Sequence, residues 1–209
     1  LKDIPKSLLS VPIVVHPRDC VPKDFIRDNI KTNMKLIKED KFITKFPMHK
    51  GNVILVSGGP YLNINKLKTH IRNNPDSKIV CVKHSYPTLI ENGILPWACI
   101  VLDPRPITGV STHGVVRKDL FKKIEKKTKF FVASMTDPSV TEYLISKGAD
   151  IHGWHAFTES LRDPAEQKKA VHNNAVTLNP DIGIPQGSTL ITGGTCAAMR
   201  ALGIMHTMG

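Results

Sequence analysis

The chain has no uninterrupted apolar run approaching the ~18 residues that a membrane helix needs. Its longest candidate, Leu8 to Val15, is broken by Ser10 and Pro12 and has no small-residue cleavage pattern. Neither a membrane span nor a signal peptide is expected. Acidic residues are scarce, with 18 Asp and Glu against 29 Lys and Arg in 209 residues, a formal charge of +11. A surplus of that size concentrates anions around the molecule, so an anionic small-molecule substrate is the expected partner. Cysteine is also sparse: Cys20, Cys81, Cys99 and Cys196 include no C-x-x-C pair, which argues against a zinc site and a disulfide framework. An intracellular, cytoplasmic setting fits that usage best. Aromatics make up only 6%. The basic segments therefore lack the aromatic interleaving of RNA-recognition strands, and no helix-turn-helix pattern is convincing. Nucleic acid is not the favoured partner. The lysine groups at 35–50 and 118–129 read as solvated faces.

What is present is ordinary for a globular chain: 41% hydrophobic and 22% charged residues, enough to build a core. The start at Leu1 rather than Met reads as a trimmed or fragmentary chain. Residues 1–50 are expected to form an N-terminal extension. It is proline-rich at first, with one helix from Lys23 marked by Ile26, Ile30, Met34 and Ile37. From residue 51 to 209 the rhythm changes. Short apolar runs at Asn52–Ser57, Lys78–Lys83, Trp97–Leu102 and Lys129–Ser134, with a fifth at Asp150–Trp154, alternate with helical spacing. The helices are expected at Leu62–Ile71, Pro87–Asn92, Arg117–Lys127, Pro138–Lys147 and Gly194–His206. That alternation predicts βαβ units: a three-layer, Rossmann-like α/β sheet, mostly parallel, doubly wound, with helices on both faces. Phe157 to Gln186 is the least regular stretch and reads as an insertion or lid.

Ligands of open parallel sheets sit outside the carboxyl ends of the strands, so the residues following each run are the candidates. Ser57, Gly58 and Gly59 follow the first run, and Thr192, Gly193, Gly194 and Thr195 precede the last helix. Glycines at such corners let main-chain amides approach a phosphate, while a helix N-terminus adds positive potential. The alternative for the first corner is a tight turn leading into a helix. For the second it is ordinary threonine capping. Asp103 ends an apolar strand and is a candidate for holding Mg²⁺ or orienting a substrate hydroxyl. His84 and His155 are candidate acid/base groups, because imidazole titrates near neutrality. Asp137, just before Pro138, reads as a helix cap.

Taken together, these residues resemble the MptE-like family of 6-hydroxymethylpterin diphosphokinases, with its relatives among flagellin-glycosylation accessory proteins. The carriers are Gly59, Pro60 and Leu62 after the first strand and the Gly93-Ile94-Leu95-Pro96 turn before the strand that ends in Asp103. Gly193, Gly194 and Thr195 before the last helix, and Asn29 and Asn33 upstream, complete the pattern. Tyr61 stands where the family has serine. The same junction is similar to that of Rossmann-like bacterial sialyltransferases. The first resemblance implies diphosphoryl transfer from ATP to a small hydroxymethyl acceptor, with ATP phosphates over both glycine corners and Mg²⁺ near Asp103. The second implies a glycosyltransferase using a nucleotide-activated sugar, with His84 or His155 as base. A non-catalytic nucleotide- or nucleic-acid-binding accessory domain is the third reading. All three require the corners at Gly59 and Gly194 to share one rim.

Overall fold

The computed structural model describes residues 21–44, 51–107, 118–158, 161, 163, 178–192 and 196–209. Strands β1 (Val53–Val56), β2 (Lys78–Val82), β3 (Ala98–Val101), β4 (Lys129–Ala133), β5 (Asp150–Ala156) and β6 (Leu190–Ile191) form one sheet. Every pairing is parallel, so the expected α/β fold is observed. Helices α1 (Lys23–Leu36), α2 (Ile64–Asn73), α3 (Tyr86–Glu91), α4 (Pro138–Ser146) and α5 (Ala197–Thr207) cover it. All four residues of β3 are buried, as a strand covered on both faces requires.

Side chains alternate strictly between two cores. Val80, Ala98, Ile100, Phe131, Ala133 and Trp154 face α1 and α5, where they meet Ile26, Ile30, Ala201 and Ile204. Val56, Cys81, Cys99, Val101, Phe130 and Val132 face the other way, toward Leu67 of α2, Leu89 of α3 and Leu144 of α4. Each large side chain so buried contributes roughly 1.5–3 kcal/mol.

The strands lie in chain order from β1 to β6. The three helices that cross between neighbouring strands, α2, α3 and α4, therefore fall in one layer, because same-handed crossovers between consecutive strands stay on one face. The second layer comes from the flanking helices α1 and α5. Three layers are present, but the described sheet has no reversal of strand order, so the expected double winding is replaced by winding in one sense. The sheet is curled: α5 leaves β6 and packs on β1, β2 and β3 as well.

Local chemistry fixes the ends. The Asn63 side chain accepts from the amide of Lys66 at the start of α2, and that of Asp137 accepts from the amide of Ser139 at the start of α4, the cap expected for it. Gly93 and Gly148, at φ +71° and +72°, turn the chain out of α3 and α4. Among the described residues of the Arg117–Lys127 stretch, which begin at Lys118, the expected basic helix is absent. Lys118–Phe121 forms a single 3₁₀ turn, and Lys122, Lys123, Lys126 and Lys127 are exposed. Leu120 and Phe121 supply too short an apolar stripe to seat a longer helix. The following loop is held instead by the Glu125 amide donating to the Tyr86 hydroxyl (2.9 Å) and the Thr128 hydroxyl donating to the Pro96 carbonyl (2.8 Å). Strand β6, only two residues long, was not legible as an apolar run. Most of the irregular Phe157–Gln186 stretch lies outside the described residues. Among the described residues no helix is long and apolar enough to cross a membrane.

Candidate functional site

The loops after β1, β2, β3 and β4 meet at the carboxyl edge of the sheet. Ser57, Gly58 and Gly59 are exposed there. Gly58 lies against the next loop: a Cβ at this position would come within 2.7 Å of the Cβ of His84. Only glycine lets the two loops approach so closely. Gly59 faces open space. Neither glycine opens α2, which begins beyond its Asn63 cap, so their amides lie outside the helix N-terminus. Ser85 is buried, and its hydroxyl donates to the carbonyls of Val56 (2.9 Å) and Val82 (3.0 Å), tying β1 to β2. His84, one residue earlier, stands exposed on the rim.

Asp103 sits at the centre of this edge, 3% exposed. Its Oδ1 accepts from the Arg105 amide (3.1 Å) and from Arg105 Nε (2.7 Å). Its Oδ2 accepts from the Arg105 guanidinium (2.7 Å) and from Lys83 Nζ. Lys83 is itself buried and also donates to the Leu102 carbonyl (3.3 Å). Burial opposes ionisation of Asp103, but the Arg105 guanidinium and then the Lys83 ammonium outweigh it and hold the carboxyl below the usual aspartate range. The sequence reading took Lys83 as the end of a strand and missed this pairing. The available signal was a lysine closing an apolar run, since such a residue is buried only with a partner.

The expected Mg²⁺ does not fit Asp103. A carboxylate offers about four lone-pair positions, and here two cationic side chains and an amide fill them. Among the described residues no group of three or more His, Cys, Asp or Glu could hold a metal ion.

The loops after β3 and β4 are pinned from α1. Asn29 Nδ2 donates to the carbonyls of Pro104 (3.2 Å) and Met135 (3.3 Å). Asn33 Nδ2 donates to those of Ser134 (2.9 Å) and Thr136. The Asp137 amide donates to the Asp103 carbonyl at 2.9 Å, joining the two loops. The repeated asparagines thus serve as struts beneath the edge.

His155 is placed differently from the expectation. It is 4% exposed, with Nδ1 3.0 Å from the Ser134 hydroxyl, and Phe42 lies flat on its ring. Burial pushes its pKa down to about 4. A ring so enclosed and so weakly basic is poorly suited to the acid/base role expected for it. Thr192 is exposed at the end of β6, whereas Gly193, Gly194 and Thr195 lie outside the described residues. Arg200 of α5 donates to the carbonyls of Ile191 and Phe157 (the latter at 2.8 Å). A cavity of about 670 Å³ lies between α2 and the Gly93–Leu95 turn, lined by Lys68, Arg72 and Ile79, and contains none of the expected site residues.

No family model matches the chain, and no curated protein matches it. Among solved structures it is similar to the MAf glycosyltransferase from Magnetospirillum magneticum AMB-1, at a TM-score of 0.43 and 12% identity. That alignment covers 88% of this chain and 27% of the other, so the chain spans little more than a quarter of that protein's length. At this level of similarity the match carries no argument about activity.

Proposed function

We propose that this chain is a nucleotide-dependent transferase whose donor phosphates lie over the loops after β1, β2 and β3. One observation carries the reading: a buried carboxylate ligated by a lysine and an arginine sits beside an exposed glycine loop and an exposed histidine at one sheet edge. That edge is where parallel sheets hold their ligands. Of the two transfers expected from the sequence, glycosyl transfer from a nucleotide-activated sugar is the better supported. Diphosphoryl transfer was expected to draw on Mg²⁺ at Asp103, and the filled carboxylate does not fit that role. In glycosyl transfer His84 takes the proton of the acceptor hydroxyl. The acceptor oxygen bonds to the anomeric carbon, and the sugar–phosphate bond breaks. The nucleotide leaves with the electron pair, and the protein's cations meet its charge.

A thermal-shift screen with ATP, CTP, cytidine monophosphate and nucleotide sugars, each with Mg²⁺ or EDTA, tests the reading. Stabilisation by a nucleotide sugar in EDTA, with His84→Gln retaining binding and losing transfer, supports it. Stabilisation only by ATP with Mg²⁺ returns the assignment to diphosphoryl transfer, and no shift with any nucleotide ends it.

A further inference from the structure

Helix α2 is amphipathic but incompletely seated. Ile64, Leu67 and Ile71 recur every three or four residues and pack on the sheet, yet none of them is fully buried. The neighbouring helices of the same layer close over their apolar faces: Leu89 of α3 and Leu144 of α4 are completely covered. The difference lies in the cavity of about 670 Å³ between the second half of α2 and the Gly93–Leu95 turn. Small-molecule sites have volumes of roughly 300–1,000 Å³. The floor is aliphatic, made by Ile71, Ile79, Ile94 and Leu95, and no aromatic residue lines it. Lys68 and Arg72 stand exposed on the rim. One helical turn separates them, so they rise from one face of α2 and can flank a single charged group. No acidic residue belongs to α2, and no carboxylate lines the cavity. Among the described residues neither Lys68 nor Arg72 takes part in an ion pair. Ile79 lies at the start of β2, so the cavity sits toward the amino end of the sheet, a strand's length from the edge that carries Asp103.

We propose that this cavity is a second binding site, separate from the Asp103 edge, for a free single-chain organic anion, with a phosphate or carboxylate head between Lys68 and Arg72 and an alkyl tail on the isoleucine floor. Each part of the cavity selects one part of such a ligand. The two cations, matched by no lining carboxylate, attract the head. The half-buried isoleucines lose contact with water when the tail covers them, which completes the burial that α2 lacks. The floor has no ring on which a nucleobase could stack. Its ligand is therefore of a different class from the nucleotide proposed for the opposite end of the sheet, and the inference does not depend on that reading.

NMR titration of the isotope-labelled full chain with octyl phosphate and with octanoate, both below their micelle concentrations, tests this. The amide signals of Lys68, Arg72, Gly93 and Ile94 shift and saturate, while those of Lys83 and Asp103 stay in place. Shifts confined to the Asp103 edge, or no saturable shift with either probe, overturn the proposal. Inorganic phosphate and octanol, which present the head and the tail alone, bind at least tenfold more weakly. Equal binding of either one overturns it. Whichever of the two amphiphiles binds more tightly identifies the head, and both results support the site. The double variant Lys68→Gln with Arg72→Gln alters only exposed positions, so it keeps the spectrum of the folded chain and loses at least tenfold in affinity. Leu95→Trp, also at an exposed position, fills the cavity and weakens binding to a similar degree. Unchanged affinity in these two folded variants overturns the assignment. Binding to phosphatidylglycerol vesicles without binding of free octyl phosphate or octanoate makes this face a membrane contact and also overturns it.

Discussion

His155 lies flat against Phe42, their ring centroids 4.6 Å apart and their planes 11° from parallel. Phe42 is carried there by a short parallel contact with β5, where the amide of Ile43 donates to the Gly153 carbonyl at 2.9 Å. The absence of a side chain on Gly153 makes room for the Phe42 ring. This contact covers the flank of β5 that β6, paired only at His155 and Ala156, leaves open. The imidazole is therefore an element of the core whose protonation the fold opposes.

The consequence is a stability that depends on pH. With a folded pKa of about 4 against about 6.5 in an unfolded chain, the unfolded state binds the extra proton between those values. Stability from this group is fully present above pH ~6.5 and is lost as the pH falls through the interval toward 4, by about 3 kcal/mol at the limit. Urea unfolding of wild type and His155→Phe at pH 7 and pH 4.5 checks this. The variant loses the pH dependence across that window. An equal slope in both proteins assigns it elsewhere.

Asp103 makes stability fall in the same direction, on acidification, but at lower pH. Its folded pKa is lowered, so its stabilisation is present above the unfolded value near 3.9 and disappears as the pH falls below it. Asp103→Ala removes the carboxylate shared by Lys83 and Arg105, a change that costs about 3–5 kcal/mol in comparable buried pairs. Lys83→Met leaves the Arg105 pair intact and costs less. Unfolding free energies at pH 7 rank the three proteins as wild type, Lys83→Met, Asp103→Ala, in falling order. A reversal of the two variants contradicts the shared-partner account.

Much of the scaffold was legible because period-two burial leaves its mark on the sequence. Val80-Cys81-Val82 and Phe130-Phe131-Val132 are apolar on both sides because both faces of the sheet are covered. What was not legible involved relationships across strands. Lys83 and Asp103 are 20 residues apart, and they meet only because Val82 pairs with Ile100 and places the next residues on one edge. A charged residue after an apolar run looks like a solvent-exposed end unless its partner is known. The basic 117–127 segment misled for a different reason: its lysines favour helix by propensity, but tertiary bonds to Tyr86 and Pro96 override it. The winding sense depends on which strands pair, and composition does not carry that.

Gly58 and Gly59 look interchangeable in the sequence but differ in the fold. An alanine at Gly58 sets its Cβ 2.7 Å from that of His84, so one of the two loops must move. Overpacking of this kind costs about 1–3 kcal/mol. An alanine at Gly59 meets nothing within 4 Å and is expected to change stability by less than about 0.5 kcal/mol. Thermal unfolding of the two single variants separates them. If Gly58→Ala is as stable as Gly59→Ala, the close approach of the β1 and β2 loops is not a constraint.

The last prediction concerns the strut beneath the edge. Asn33 is fully buried, and its amide nitrogen serves the carbonyls of Ser134 and Thr136, while its Oδ1 has no hydrogen-bond partner among the described residues. Asn33→Ala leaves those carbonyls without their donor and costs about 1–3 kcal/mol. Asn33→Asp keeps the shape but sets carboxylate oxygens against carbonyl oxygens in a buried place, so it costs more than alanine. The β4 loop these carbonyls belong to also carries the Asp137 amide, which donates to the Asp103 carbonyl. Loss of the strut is therefore expected to speed hydrogen exchange at Asp137 beyond what the global destabilisation explains. Exchange measured by NMR on Asn33→Ala decides this. Exchange at Asp137 that scales only with the drop in global stability shows that α1 supports the sheet without holding the site.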